Sequence, residues 1–444
     1  MEKKRYKYKL TSFQVIIMSF LVLIALGTFL LMMPAATRGS GHATFMEAFF
    51  TATSASCVTG LIVQDTATYW SGFGHAVILL LIQIGGMGVI TVASLIAVIA
   101  GRQAGIMHRS ILQESVSAPT AGGIMRHLGF IVAMTFITEG LGAVLLYPTF
   151  AEEFGPLRGL WYAVFHSVSA FCNAGFDLMG AKQAYSSLTS YSMNLHVNLV
   201  IMLLITVGGI GFLTWSDIRR NGFRFRRYML QTKIILITSA VLTFGGALYF
   251  WIFEYADLPA GERFLGGLFT SVTARTAGFN TTDLTTLSIP GQIAMIGLML
   301  IGGSPGSTAG GMKTTTFAVL FASAMSVFRR QKNASLHKRR ISYETTRNAA
   351  AILMLYVVLF ITAASIICRR DGFEFSQCLF ETASAIGTVG VTQGITPALG
   401  GFSRLLIIGL MFFGRVGGLT LIYASLIKRD DITEHLPEEN VTVG

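Results

Sequence analysis

The chain has 444 residues, of which 52% are hydrophobic and 12% charged, and its formal net charge is +11. A soluble domain carries about 25% charged residues. With a mean hydropathy of +0.62, the composition excludes an ordinary soluble enzyme or nucleic-acid-binding domain. It indicates an integral membrane protein of many helices, in which the positive charge reads as basic cytoplasmic loops rather than as a nucleic-acid surface.

The N-terminus, MEKKRYKYKL, is basic and precedes an apolar run over residues 13–33. A signal peptide has a shorter apolar core of about 7–15 residues, so this run reads as a retained first span, 12–33. Further apolar segments follow at 73–100, 128–148, 193–215, 231–253, 289–325, 349–368 and 402–427. The 289–325 segment is too long for one span and is interrupted in its middle. The cysteines, Cys57, Cys172, Cys368 and Cys378, have no metal-ligand spacing and read as packing residues.

Between the two spans of each pair lies a shorter, less apolar stretch. These read FFTATSASCVTGL (49–61), VFHSVSAFCNAGF (164–176), LFTSVTARTAGFN (268–280, shifted by one) and LFETASAIGTVGV (379–391). Anchored on Gly60, Gly175, Gly278 and Gly390, they place Phe50, Phe165, Leu268 and Phe380 ten residues upstream, and Ala55, Ala170, Thr273 and Ala385 five upstream. The anchors stand 115, 103 and 112 residues apart. Small residues alone would serve close helix packing, but four aligned copies, each ending in glycine between two spans, indicate a tandem repeat. The predicted fold is an all-α membrane protein of four helix–pore segment–helix repeats. Eight spans and four re-entrant segments would stand pseudo-fourfold around one ion pore. The repeats take residues 1–101, 102–220, 221–345 and 346–428, and a tail takes 429–444.

Irregular backbone at membrane depth is tolerated only when buried in protein or lining a water-filled cavity. Glycine permits the φ/ψ values that aim successive carbonyls one way, and rings of carbonyls replace the hydration shell of K⁺. The candidate filter residues are Val58, Thr59 and Gly60; Asn173, Ala174 and Gly175; Thr276, Ala277 and Gly278; and Thr388, Val389 and Gly390. Thr388-Val389-Gly390 lies within the TVGYG pattern of K⁺ channel filters.

On these four stretches the sequence resembles the Trk/Ktr/HKT superfamily of K⁺ transporters, most closely the KtrB membrane subunits of bacterial Ktr systems. The resemblance covers nearly the whole chain. It implies a K⁺ uptake function, with one central glycine per filter segment. Only the fourth copy keeps TVG and none has the tyrosine, which implies fewer or weaker ion sites than in a full TVGYG filter. It also implies a homodimer and a cytoplasmic KtrA-type ring of RCK domains binding ATP or ADP. This chain has neither a phosphate-binding G-x-x-x-x-G-K-[ST] nor a dinucleotide G-x-G-x-x-G motif. No covalent cofactor is expected. K⁺ is the transported ion, and Na⁺ is a second candidate as co-transported ion or activator.

Charge gives an independent topology. If every hairpin keeps one orientation, the termini and the three inter-repeat loops carry 23 Lys and Arg against 8 in the opposite loops. That bias puts both termini in the cytoplasm of a cell-membrane protein, with the filter toward the outside.

Lys313 and Arg415 fall within spans, where charge is costly and marks function. Lys313 ends IGGSPGSTAGGMK, whose glycines and proline cannot continue a lipid-facing helix. The residue types fit an intramembrane loop better than a simple kink. The resemblance implies that this loop is a gate formed by Gly302, Gly303, Ser304, Pro305, Gly306, Ser307, Thr308, Ala309, Gly310, Gly311 and Lys313, contacted by Arg415. The patches IGGMG (84–88) and VGGIG (207–211) read as close-packing sites, and Glu139 and Glu254 as structural residues near span ends. His75, His166 and His196 have no ligand spacing. The basic loops 219–228 and 329–340 read either as orientation signals and lipid contacts or as a dock for a regulator. No nucleophile–base pair or H-E-x-x-H cluster supports an intramembrane enzyme. A Na⁺/K⁺ symporter or alternating-access carrier is the alternative; the interrupted 289–325 segment fits it loosely and the four pore segments do not.

Overall fold

A computed structural model describes residues 11–39, 41–99, 111–114, 124–331, 333–418 and 420. The basic N-terminal decapeptide, the basic residues within 102–110 and the tail 429–444 lie outside the described residues.

Helices form on the apolar runs, and some of them begin at side-chain caps. Helix α1 (Ser12–Leu31) starts at Thr11, whose hydroxyl accepts from the Gln14 N–H in a capping box. The short α2 (Phe45–Ser56) starts in the same way at Thr44 and Glu47. Next come α3 (Gly72–Met87), α4 (Val89–Ile99), α5 (Ile124–Phe154) and the short α6 (Pro156–Phe171). They are followed by α7 (Leu195–Ile210), α8 (Phe212–Asn221), α9 (Leu230–Tyr249) and the short α10 (Ala260–Thr273). The chain continues through α11 (Ile289–Leu300) and α12 (Thr314–Phe328). The last helices are α13 (Tyr343–Asp371), the short α14 (Phe375–Gly387) and α15 (Gly401–Val416). A two-residue-per-strand hairpin pairs Ser335–Leu336 with Arg339–Arg340.

Among the described residues, α1, α9 with its π turn, α13 and residues 128–154 of α5 are each long and apolar enough to cross a membrane. Their outward faces carry Phe29, Val144, Phe244 and Met354, all more than 60% exposed. That is the expected surface of helices solvated by lipid.

The second helix of each copy behaves differently from a straight span. Between α3 and α4 the chain turns by 94°, and between α7 and α8 by 91°. The turning residues are Gly88 at φ 88° and Gly211 at φ 97°, and α15 likewise stops at Gly417 with φ 91°. An L side chain is strained at such φ. IGGMG and VGGIG are therefore helix breaks as well as packing sites, which the packing reading alone missed. The interruption expected within 289–325 is there: the segment is two helices, α11 and α12, separated by a loop from Ile301 to Lys313.

Contacts close in a ring. Helix α6 packs on α3, α10 on α7, α14 on α11, and α2 back on α15. Each short helix thus leans on the second helix of the copy before it, and the first leans on the fourth.

The third copy corrects the sequence register. Phe50, Phe165 and Phe380 are fully buried, and their counterpart is Phe269 at 1% exposure, not the half-buried Leu268. Likewise the Thr273 carbonyl accepts from Ala277 as those of Ser54, Ser169 and Ser384 accept in the other copies, so Ala274 rather than Thr273 is the counterpart of Ala55, Ala170 and Ala385. The third copy is one residue shorter between helix and glycine. Anchoring on the glycine alone displaced its helix by one position.

Candidate functional site

Each short helix ends in the same backbone turn. Val58, Asn173, Thr276 and Thr388 adopt φ of 56°, 58°, 70° and 50°, and two residues later Gly60, Gly175, Gly278 and Gly390 adopt 93°, 70°, 83° and 97°. Three of the four leading residues are β-branched, and positive φ is strained for such side chains. The same strain in all copies means that the surroundings hold it in place.

The middle residues are tied to the helix just left. The N–H groups of Thr59, Ala174 and Val389 donate to the carbonyls of Ser54, Ser169 and Ser384 at 2.7–2.8 Å, and Ala277 donates to Thr273 at 3.0 Å. The Ser54 and Ser384 hydroxyls also accept from the N–H of Gly60 and Gly390, each at 3.1 Å.

The glycines face one another in chain order. A Cβ on Gly60 would lie 2.5 Å from the Ala174 carbonyl oxygen, and one on Gly175 would lie 2.8 Å from that of Ala277. One on Gly278 would lie 2.7 Å from the Val389 oxygen, and one on Gly390 would strike the Thr59 oxygen. The twelve candidate filter residues thus come together in one closed ring, with no room for a side chain at its glycines.

A second layer of bonds forms behind the turns of the second, third and fourth copies. His166 Nε2 accepts from the Leu178 N–H at 3.3 Å, while Thr270 Oγ1 meets Tyr255 Oη at 2.9 Å. In the fourth copy the buried Glu381 carboxylate accepts from Thr392 Oγ1 at 2.7 Å and from Thr396. All three occupy the position after the buried phenylalanine. His166 is a hydrogen-bonded core residue with no ligand role in this geometry.

The Ile301–Lys313 loop sits against this ring. Ile301 and Met312 bridge in parallel, and Gly302 N–H donates to Met312 O at 2.7 Å, closing the loop at its neck. Its body is held by the α7–α8 break: Ser304 N–H donates to Gly209 O at 3.0 Å, Thr308 N–H to Gly208 O at 3.3 Å, and Phe212 N–H to Gly306 O at 2.9 Å. Its tip reaches the turns. Thr308 Oγ1 donates to Phe171 O at 3.0 Å and to Asn173 Oδ1 at 3.1 Å, and Asn173 Nδ2 donates to Thr276 Oγ1 at 3.4 Å. On the far side Gly311 N–H donates to Gly414 O at 3.1 Å.

Lys313 and Arg415 both attach to this loop. Arg415 Nη1 donates to Thr308 O, and Nη2 donates to Gly85 O and, at 3.2 Å, to Gly86 O. The fork thus joins the loop to the break of the first copy. Lys313 Nζ donates to Ala309 O at 2.8 Å and Gly310 O at 3.3 Å, folding the loop on itself. A cavity of about 160 Å³ lies beneath, lined by Gly88, Gly306, Ser307, Lys313, Arg415 and Gly417 among others.

Gly85 and Gly208 press on the last-turn carbonyls of Ser56 and Phe171, the close packing expected of IGGMG and VGGIG, and Gly414 presses likewise on that of Ile386. Sequence reasoning missed two parts of this arrangement. Glu139 is not near a span end: it lies inside α5, 5% exposed, accepting from Gln83 Nε2 at 3.0 Å, while its carbonyl accepts from Ser167 Oγ at 2.6 Å. The side chain of Asn173 links the loop to the third copy, and nothing in a single Asn signals that. Glu254 is a cap, accepting from Ser288 N–H at 3.0 Å.

The family model described as "TrkH: Cation transport protein" matches residues 2–434. The chain is 36% identical to the potassium/sodium uptake protein NtpJ of Enterococcus hirae, over 100% of this chain and 99% of that one. It is 35% identical to the Ktr system potassium uptake protein B of Bacillus subtilis, over 97% and 96% of the two chains. Among solved structures, the potassium transporter TrkH from Vibrio parahaemolyticus superposes with a TM-score of 0.73 at 17% identity, covering 96% of this chain and 87% of that one. That likeness is one of fold.

Proposed function

The chain belongs to the TrkH family of cation transport proteins, and on that premise we propose that it is the K⁺-translocating subunit of a K⁺ uptake system in the cell membrane. The observation that carries the reading is the closed ring of four identically bent turns. The four repeats stand pseudo-fourfold around one pore. Dehydrated K⁺ passes a filter formed by backbone oxygens of the twelve turn residues, because fixed carbonyls replace its water at little reorganisation cost. The Gly302–Lys313 loop is the gate, held shut by Thr308 and Arg415.

The gate opens when the loop leaves the ring and gives up its hydrogen bonds to the α7–α8 break, to Phe171 and Asn173, to Gly414 and to Arg415. A cytoplasmic partner of KtrA type, carrying ATP or ADP, supplies that bias, and the subunit works as a homodimer with both termini cytoplasmic. Two relatives named as Ktr system proteins support the partner. Na⁺ enters as a co-transported or activating ion, a reading supported by the name of the NtpJ relative.

The test is K⁺ and Na⁺ flux into liposomes holding the purified chain, beside a variant lacking Gly302–Gly311. Ile301 and Met312 already bridge, so the shortened chain can close. Flux that favours K⁺ and rises on deletion is expected. Unchanged flux on deletion would reduce the loop to a structural break. Saturation at low turnover would favour an alternating-access carrier.

A further inference from the structure

Helix α8 leaves the gate loop at nearly a right angle to α7. Over its ten residues it extends about 15 Å and ends in the stretch Asn221–Met229. That stretch is folded. Asp217 accepts from Asn221 Nδ2 at 2.7 Å and from Met229 N–H at 2.9 Å, and Tyr228 Oη donates to Gly222 O at 2.6 Å. Lys233 Nζ donates to Arg226 O at 2.9 Å, and Arg219 stacks 5.5 Å over the Phe130 ring.

What this fold presents outward is unusual for a surface facing only water. Arg220, Arg224, Arg226 and Arg227 are exposed, and among the described residues no carboxylate pairs with them. Between them Phe223 is 100% exposed, Phe225 41% and Met229 50%. A loop that merely marks orientation needs the charges, but it does not need a fully projected phenylalanine on a pinned backbone. Cation and aromatic alternating at the end of a helix turned 91° from α7 match a headgroup layer. There guanidinium meets phosphate bidentately and the ring enters the acyl boundary.

We propose that residues 219–229 are a binding hook for anionic phospholipid, and that α8 carries its occupancy to the gate loop. The connection is direct: Phe212, the first residue of α8, donates to Gly306 O at 2.9 Å, and Ser304 is held by Gly209 on the other side of the break. A lipid that fixes the far end of α8 fixes the backbone that anchors the loop. The inference rests on the gate reading above and on residues 219–229 lying at the membrane surface.

The experiment uses the purified full chain in phosphatidylcholine liposomes with and without phosphatidylglycerol, as wild type, as the triple variant Arg224→Gln, Arg226→Gln, Arg227→Gln, and as Phe223→Ser. Retained phosphatidylglycerol is measured by native mass spectrometry, and K⁺ flux separately. Wild type is expected to retain phosphatidylglycerol and to change flux with its content. The triple variant should lose both, with retention down roughly a hundredfold if each arginine contributes about fivefold, and Phe223→Ser should lose part. Equal retention by wild type and triple variant overturns the lipid site. Retention lost while flux still follows phosphatidylglycerol overturns the coupling through α8. Arginine dependence that emerges only with an acidic soluble protein present makes the surface a protein dock and overturns the lipid assignment. Absent flux in every wild-type liposome sinks the transport reading, while retention still decides the hook.

Discussion

Thr308 donates one hydroxyl to both Phe171 O at 3.0 Å and Asn173 Oδ1 at 3.1 Å. The intramembrane loop of the third copy is therefore latched to the turn of the second by a single side chain. The loop approaches the other turns through backbone: a Cβ on Gly310 would strike Thr388 Oγ1. Thr308→Val keeps the shape and removes the donor. A net hydrogen bond is worth about 0.5–1.5 kcal/mol, and about 1 kcal/mol is roughly a fivefold change in the closed-to-open ratio. We expect K⁺ flux in liposomes to rise by about that factor, with Thr308→Ser close to wild type. A valine variant as slow as wild type would show that the latch does not control passage.

Arg415 tests whether fork geometry matters. One guanidinium serves Thr308 O on the loop and the Gly85 and Gly86 carbonyls on the first copy's break. A lysine ammonium is a point donor and cannot span the same acceptors in one plane. Arg415→Gln is expected to raise flux and to lower thermal stability by about 1–3 kcal/mol, since buried acceptors lose a charged donor. Arg415→Lys should recover only part of either. Full recovery by lysine would show that charge alone holds the loop.

Glu139 predicts a stability effect apart from the pore. Its carboxylate accepts from Gln83 Nε2 at 3.0 Å, joining α5 to α3, just before the break at Gly88. Glu139→Ala leaves that amide without its acceptor, at a cost of about 1–3 kcal/mol in thermal unfolding of the detergent-solubilised protein. Glu139→Gln keeps an acceptor and should lose less. Equal losses would mean that the negative charge, rather than the hydrogen bond, is what α3 requires.

The legible part of the fold followed from composition. Apolar length located the spans, and the four glycine-ended stretches located the turns, because both features are local in sequence. The breaks at Gly88 and Gly211 were not legible. Their glycines serve two ends at once, close contact through Gly85 and Gly208 and a bend at positive φ, and residue type alone cannot separate these. The displaced register of the third copy has a similar cause: the glycine and the buried Phe269 are both anchors, but one residue is missing between them. Of the candidate site, the loop stood out through its glycines and proline. Its partners Gly209, Phe171 and Gly414 are backbone acceptors, and a backbone carbonyl leaves no mark on a sequence.

The ring glycines predict selectivity rather than stability alone. Alanine at positive φ is strained by about 1–2 kcal/mol wherever it occurs. At Gly278 it also meets the Val389 carbonyl oxygen at 2.7 Å, whereas at Gly394, with φ 86°, it meets nothing within 4 Å. The two substitutions therefore share the backbone strain and differ in the collision. Gly278→Ala is expected to shift the Val389 carbonyl and to lower the K⁺-over-Na⁺ flux ratio in liposomes by tenfold or more, since about 1.4 kcal/mol of lost preference is a factor of ten. Gly394→Ala should leave the ratio near wild type while costing comparable backbone strain. If both variants kept the ratio, the ring would pack the four copies together without choosing the ion. If both lost it, general loosening would account for the change, and the close approach of Gly278 to Val389 would carry no selectivity of its own.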